Sequence, residues 1–197
     1  MSPEPILKGP VWLLQPIPYF GEELKGKWIV EPKVDGWRMQ VIRYKDGRYE
    51  LWGRRLEKTP NWTEKLSWLL VDFNIPKGTL LDTELYSEKG RRFIPSLFSR
   101  RKNVLPIVFV FDVIFFDGKY VGNKPLSYRK KLIESIELKP PFYRMEQCLL
   151  KDIKKHLNQI VKKGYEGIVI KKLDSLYPIG KDAPLTTDKW RKIKIKL

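Results

Sequence analysis

Between two apolar stretches the chain reads Glu31-Pro32-Lys33-Val34-Asp35-Gly36-Trp37-Arg38, a lysine set among charged neighbours at an Asp-Gly step. A primary amine attacks an electrophile only after losing its proton. Nearby cations such as Arg38 or Lys192, or partial burial, favour that loss by disfavouring the ammonium form. Lys33 is therefore a candidate nucleophile. The same residues also suit a solvated hairpin turn, since Asp-Gly is a common turn pair, and the segment alone leaves both readings open.

Further segments carry groups that suit phosphate chemistry. Leu81-Asp82-Thr83-Glu84-Leu85 and Tyr165-Glu166-Gly167-Ile168-Val169-Ile170-Lys171 place carboxylates at or within apolar strands. Carboxylates facing one cleft, Glu84 and Glu166 here, can hold Mg²⁺ beside a triphosphate. In Trp190-Arg191-Lys192-Ile193-Lys194 the alternation sends Lys192 and Lys194 to one strand face, where paired cations can neutralise a phosphate. Phe109-Val110-Phe111-Asp112 offers Phe111 as a ring to stack on a base. Each segment also has a plain structural reading: acidic strand ends are ordinary, Phe111 suits a core, and a basic strand can simply be solvated.

The elements that must position these groups are legible from periodicity. Strands are predicted at 28–30, 37–44 and 48–52, the last two joined as a hairpin by Lys45-Asp46-Gly47. Further strands are predicted at 79–86, 107–116, 167–172 and 189–195. Helical spacing of Trp62, Leu66, Leu69, Leu70 and Phe73 predicts a helix over 61–73. A second is predicted from Ser127, as N-cap, to about Leu138. A third runs from about Leu149 to Lys163, stopped by Gly164. The first 26 residues, rich in Pro and Gly, read as an irregular lead-in. The pattern as a whole is α+β.

Composition sets the class of partner. The 197 residues are 42% hydrophobic and 13% aromatic, too apolar for a disordered chain. With 39 Lys and Arg against 23 Asp and Glu, the formal charge is +16, which favours polyanions. Candidate grips on nucleic acid are Arg91-Arg92, Arg100-Arg101-Lys102, Arg129-Lys130-Lys131 and the strand at 189–196. For Arg129-Lys130-Lys131 the alternative is the wet face of a helix. A single cysteine, Cys148, excludes an internal disulfide, and with the single His156 it cannot build a zinc cluster. Cys148 reads as a small packing residue, and Trp12, Trp28, Trp62 and Trp68 as core. No apolar run approaches the ~18 residues of a membrane span, and the expectation is a cytoplasmic protein.

Taken in order, these segments resemble the nucleotidyltransferase domain of ATP-dependent polynucleotide ligases, DNA ligases above all, and of mRNA capping enzymes. The resemblance covers nearly the whole chain, with Lys33, Asp35, Gly36 and Arg38 matching the Lys-x-Asp-Gly-x-Arg motif. It implies an ATP-grasp-like nucleotidyltransferase fold of two mainly antiparallel sheets, flanked by helices and meeting at an ATP cleft. It further implies that Lys33 attacks the α-phosphate of ATP and becomes a lysyl-AMP, that Lys192 and Lys194 grip that phosphate, and that Phe111 stacks on adenine. Glu31 would contact the adenine amino group, Arg38 and Arg54 the sugar or the 5′-phosphate of a nick, and Glu84 the ribose or a metal. Glu166 would bind Mg²⁺ or Mn²⁺. Arg100, Arg101 and Lys102 would meet DNA.

The substrate so implied is nicked duplex DNA, sealed in repair, replication or recombination by a monomer of prokaryotic or viral source. The family normally continues into an OB-fold domain. The expectation here is a single nucleotidyltransferase domain over 1–197, read as an excised domain, a naturally minimal ligase, or a subunit that takes an OB-fold or clamp in trans from a partner. Capping enzymes usually continue as Lys-Trp-Lys-Pro where this chain has Lys189-Trp190-Arg191-Lys192, which favours the ligase pattern. The alternatives are an RNA ligase, a capping-type enzyme, or a nucleic-acid-binding module without catalysis, which the retention of Lys33, Glu84, Glu166, Lys192 and Lys194 opposes.

Overall fold

A computed structural model describes residues 4–100 and 103–195. Two sheets dominate it. The larger has the order β4 (Tyr49–Gly53), β3 (Trp37–Arg43), β5 (Thr79–Ser87), β6 (Pro106–Phe116) and β7 (Lys119–Tyr120), with β8 (Phe142–Arg144) parallel to β6. The smaller has the order β1 (Gln15–Pro18), β11 (Thr186–Lys194), β10 (Gly167–Lys172), β2 (Trp28–Lys33) and β9 (Cys148–Leu149). Within it β1 runs parallel to β11 and the other pairs are antiparallel. The expected two-sheet α+β architecture is present.

Strand alternation decides which side chains reach the space between the sheets. In the smaller sheet Trp28, Val30, Ile168 and Ile170 turn outward and are buried under α3 (Ile153–Lys162), through Ile160 and the partly buried Ile153 and Leu157. Their neighbours Glu31, Lys33, Val169 and Lys171 turn inward. The larger sheet buries Met39, Val41, Leu51, Leu81, Val108 and Val110 in a core that also takes Ile133 of α2 (Leu126–Glu134). At one end the sheets close on each other through Leu13, Leu14, Ile42, Leu80, Phe115, Tyr177 and Trp190. At the other end they diverge.

Several expected boundaries shift for physical reasons. The helix expected over 61–73 is one α-turn, α1 (Thr63–Leu66), followed by 3₁₀ geometry over Ser67–Leu70. Its helical spacing still buries Leu66, Leu69 and Phe73. Helix α2 begins after Pro125 rather than with Ser127 as cap, and α3 begins after Asp152, whose side chain accepts from Lys155 N at 3.1 Å. Leu149 belongs to strand β9 rather than to α3. The lead-in contains β1, and the poorly patterned stretch after β5 holds a 3₁₀ segment at Arg91–Phe98. Cys148 is exposed rather than packed. Of the tryptophans, Trp28 and Trp190 are buried, whereas Trp62 and Trp68 only flank the core.

Candidate active site

Where the sheets diverge they enclose a cleft of about 730 Å³, within the size of a nucleotide site. Register across the smaller sheet builds one wall. Lys33 on β2 and Lys194 on β11 both pair with Gly167 between them. One pleat further along, Glu31 and Lys192 flank Val169, and after that Lys171 pairs with Trp190. Gly167 is required here: a Cβ on it would lie 2.0 Å from the Ile193 carbonyl oxygen, with φ at +154°. Lys33 and Lys194 thus converge over a position without a side chain.

Glu166 completes this row. Its Oε1 accepts from Lys33 Nζ, its Oε2 lies 3.2 Å from Lys194 Nζ, and its main-chain N–H donates to the Lys33 carbonyl at 3.2 Å. Burial pushes the Glu166 carboxyl up, but the hydrogen bonds and charges of Lys33 and Lys194 outweigh this and hold it below its ordinary value.

The opposite wall comes from β3, β5 and β6. Arg38 pairs in register with Glu84, and its guanidinium binds Asp82 at 2.9 and 2.5 Å and Tyr177 Oη at 3.3 Å. Tyr177 Oη in turn donates to Asp82 at 2.6 Å, and Asp82 is fully buried. Arg38 therefore lines the cleft as a clamped wall residue, not as a free surface cation. Burial pushes the Glu84 carboxyl up to about 7, against the pull of Arg38, Lys33 and Arg54. Gly36 lies so close to β5 that a Cβ would sit 2.5 Å from the Leu85 oxygen and 2.7 Å from Glu84 Cγ. The Asp-Gly step is thus packed against β5, and Asp35 accepts from Arg91 at 2.5 Å, which overturns the reading as a free solvated turn.

Phe111 sits at the back of the cleft, 8% exposed, beside Val34 and Met145. Arg54 follows β4 and is exposed at the cleft's edge. All the expected nucleotide and phosphate residues, Glu31, Lys33, Arg38, Arg54, Glu84, Phe111, Glu166, Lys192 and Lys194, line this one cleft. Arg100 is exposed and does not line it, and Arg101 and Lys102 lie outside the described residues.

The grip expected at Arg129 and Lys130 is corrected: both side chains are buried. Arg129 binds Asp112 at 2.7 and 3.0 Å and two main-chain oxygens, while Lys130 binds Glu31 and the Phe111 oxygen. Only Lys131 of that run is exposed. Sequence reasoning also passed over Lys171 and Trp190 as wall residues. For Trp190 the signal is alternation, two positions before Lys192; Lys171, five positions from Glu166, carries no such signal.

Nine cationic side chains and four carboxylates line the cleft, a charge balance that fits a polyphosphate. Among the described residues no group of three or more His, Cys, Asp or Glu could cage a metal ion. Glu84 and Glu166 alone fit the pattern in which Mg²⁺ takes one or two carboxylates and completes its shell with substrate phosphates. Two sheets enclosing a cleft with such a lysine are the arrangement that the resemblance to nucleotidyltransferases implies.

Residues 15–194 match the family model described as the ATP dependent DNA ligase domain. The chain belongs to that family. It is 34% identical over 161 residues to the SPbeta prophage-derived DNA ligase-like protein LigB of Bacillus subtilis, covering 78% of this chain and 57% of that protein. Against the DNA ligase of Ignicoccus hospitalis it is 27% identical over 178 residues, covering 81% of this chain and 30% of that protein. The chain thus spans about half or less of these curated relatives. A structure of mycobacterial DNA ligase D complexed with ATP and MES shares the fold, with a TM-score of 0.67 and 22% identity over 92% of this chain and 60% of that one.

Proposed function

We propose that this domain performs ATP-dependent adenylyl transfer through Lys33 and serves as the catalytic domain of a DNA ligase. One observation carries the reading: Lys33, its side chain 21% exposed, opens into a cleft where cations outnumber carboxylates. Such a cleft suits a triphosphate, and an amine suits attack at its α-phosphorus.

In the proposed step Lys33 gives up a proton, leaves Glu166, and forms an N–P bond as the bond from the α-phosphorus to pyrophosphate breaks. The product is a lysyl-AMP. Lys192 and Lys194 offset the charge on the α-phosphate, and positioning with charge neutralisation does most of the work, as in phosphoryl transfer generally. Phe111 stacks on the base, worth about 1–3 kcal/mol. Glu31 accepts from the adenine amino group, and Glu84 and Arg54 reach the ribose and phosphate side. Mg²⁺ or Mn²⁺ held by Glu84 and Glu166 would add charge neutralisation between the phosphates. The ATP-bound ligase structure of the same fold supports ATP as the donor.

The adenylyl group would then pass to the 5′-phosphate of nicked duplex DNA, where Arg38 clamps the cleft wall and Arg54, with the segment at 100–102, meets the backbone. Attack by the 3′-hydroxyl would release AMP and seal the strand. The names of the relatives support DNA as the acceptor. The proposed working form is a cytoplasmic monomer in which this segment folds as one nucleotidyltransferase domain.

Intact-protein mass spectrometry tests the first step. Protein stripped of bound nucleotide and incubated with ATP and Mg²⁺ should gain one AMP, and Lys33→Ala should gain none. Adding nicked duplex should discharge the adduct as sealed strand appears. Labelling that persists in Lys33→Ala would show the nucleophile to be another residue. An adduct discharged by nicked RNA and not by DNA would exclude the DNA ligase reading.

A further inference from the structure

Behind the cleft, one buried lysine ties together two wall residues that are distant in sequence. Lys130 on α2 has its side chain 8% exposed and does not itself line the cleft. Its Nζ donates to Glu31 Oε1 and, at 2.8 Å, to the main-chain oxygen of Phe111. The other carboxylate oxygen of Glu31 lies 2.6 Å from Lys171 Nζ. Lys171 is held between aromatic faces, 4.5 Å from the Phe111 ring centroid and 4.2 Å from that of Trp190.

An ionised carboxylate only accepts hydrogen bonds, so the polar groups packed against it must be donors. Glu31 is 3% exposed at its side chain, so the place of its carboxylate is set by its two lysines. Its two oxygens together offer about four acceptor sites, which leaves capacity for a third donor after two lysines are bound. An adenine edge presents such a donor, the 6-amino group, where a 6-oxopurine presents an acceptor.

We propose that Lys130 is a specificity-determining positioning residue, which holds the Glu31 carboxylate at a fixed place beside Phe111 so that the cleft selects 6-aminopurine over 6-oxopurine nucleotides. The inference rests on the reading of the cleft as a nucleotide site. It assigns selectivity to a residue that touches no nucleotide. Lys130 acts on both halves of the base site at once, through the Glu31 carboxylate and the Phe111 backbone.

The test compares equilibrium binding of AMP and inosine 5′-monophosphate, which differ in the 6-substituent and in the hydrogen that the 6-oxo form carries on N1, to nucleotide-free wild type, Lys130→Met and Lys130→Arg. Binding is read by calorimetry and by intrinsic tryptophan fluorescence, Trp190 being in the cleft wall. Wild type should prefer AMP by about tenfold or more, because an unmatched buried polar group is strongly penalised. Lys130→Met should lose most of that preference and Lys130→Arg should restore it. A Met variant with the wild-type preference, or a wild type with none, overturns the proposal. If Lys130→Met does not fold, Lys130→Gln, whose side-chain nitrogen falls one bond short of the place from which Lys130 reaches Glu31 and the Phe111 oxygen, should likewise lose the preference, and a Gln variant that keeps it overturns the proposal too. Wild type that prefers AMP yet forms no AMP adduct with ATP would refute the covalent chemistry proposed for Lys33 and leave the role of Lys130 standing.

Discussion

Lys33 Nζ is bound to Glu166 Oε1 while the Glu166 N–H donates back to the Lys33 carbonyl at 3.2 Å, so nucleophile and carboxylate are joined through both side chain and backbone. This double link crosses from β2 to the start of β10 and is reinforced by Lys194 on the next strand. The carboxylate is thus shared between the candidate nucleophile and the lysine proposed to grip the α-phosphate, and the proposed reaction would redistribute both bonds.

Glu166 should therefore contribute stability with a defined pH window. Its carboxyl is held low in the folded state, against burial, by Lys33 and Lys194. An unfolded glutamate titrates near ~4.3, so the folded state binds fewer protons around that pH. The contribution is present above about pH 4.3 and is lost as pH falls through the lowered folded value. In urea titrations across pH, Glu166→Gln should be less stable than wild type near neutrality, and the gap should close in acid. A gap unchanged down to pH 3 would show that the ion pair contributes nothing.

Glu84 should behave with the opposite sign. Burial places its folded pKa at about 7, above the unfolded value, so the folded state holds a proton that the unfolded chain releases. Its contribution is full below about pH 4.3 and is lost as pH rises to about 7. In nucleotide-free protein, Glu84→Gln should match wild type at pH 4 and exceed it by about 3–4 kcal/mol at pH 8. Equal stability at both pH values would mean that Glu84 is ionised in the folded state at neutral pH.

Much of this arrangement was legible in the sequence because it is local. The β3–β4 hairpin, β5, β6 and β10 follow from alternation and turn residues, and the cleft residues from short motifs whose members are two or three positions apart. Arg129 and Lys130 were not legible as buried groups. Their partners Asp112 and Glu31 lie 17 and 99 residues away, and a basic pair on a helix gives the same local pattern whether it faces water or a buried carboxylate. Trp190 shared this difficulty, since a tryptophan inside a basic strand gives no sign that the sheets close upon it. The 61–73 periodicity was right about which residues are buried and wrong about the helix, because 3₁₀ and α geometry place nearby residues on similar faces.

The burial of Arg129 gives a sharp stability contrast within one basic run. Arg129→Ala should cost about 3–5 kcal/mol in chemical unfolding, since it leaves Asp112 charged, buried and without its bidentate partner. Lys131→Ala, on the exposed side of the same helix, should stay within about 0.5 kcal/mol of wild type. Equal costs for the two would contradict the burial of Arg129.

DNA binding should then depend on the exposed cations at the cleft edge and not on the buried ones. A phosphate contact adds about one counterion to the slope of log affinity against log salt, so losing one contact flattens the slope by about 0.9. Arg54, exposed at the cleft edge, is the best placed to make such a contact. Arg54→Ala should flatten the slope for a nicked duplex by about one. Lys163→Ala should leave it unchanged, because Lys163 does not line the cleft and is paired with Glu146 at 2.7 Å. The discriminating variable is which residue is lost, since either substitution lowers the net charge by the same amount. Equal flattening in both variants would mean that DNA is held by diffuse charge over the whole surface, with no preferred seat along the cleft.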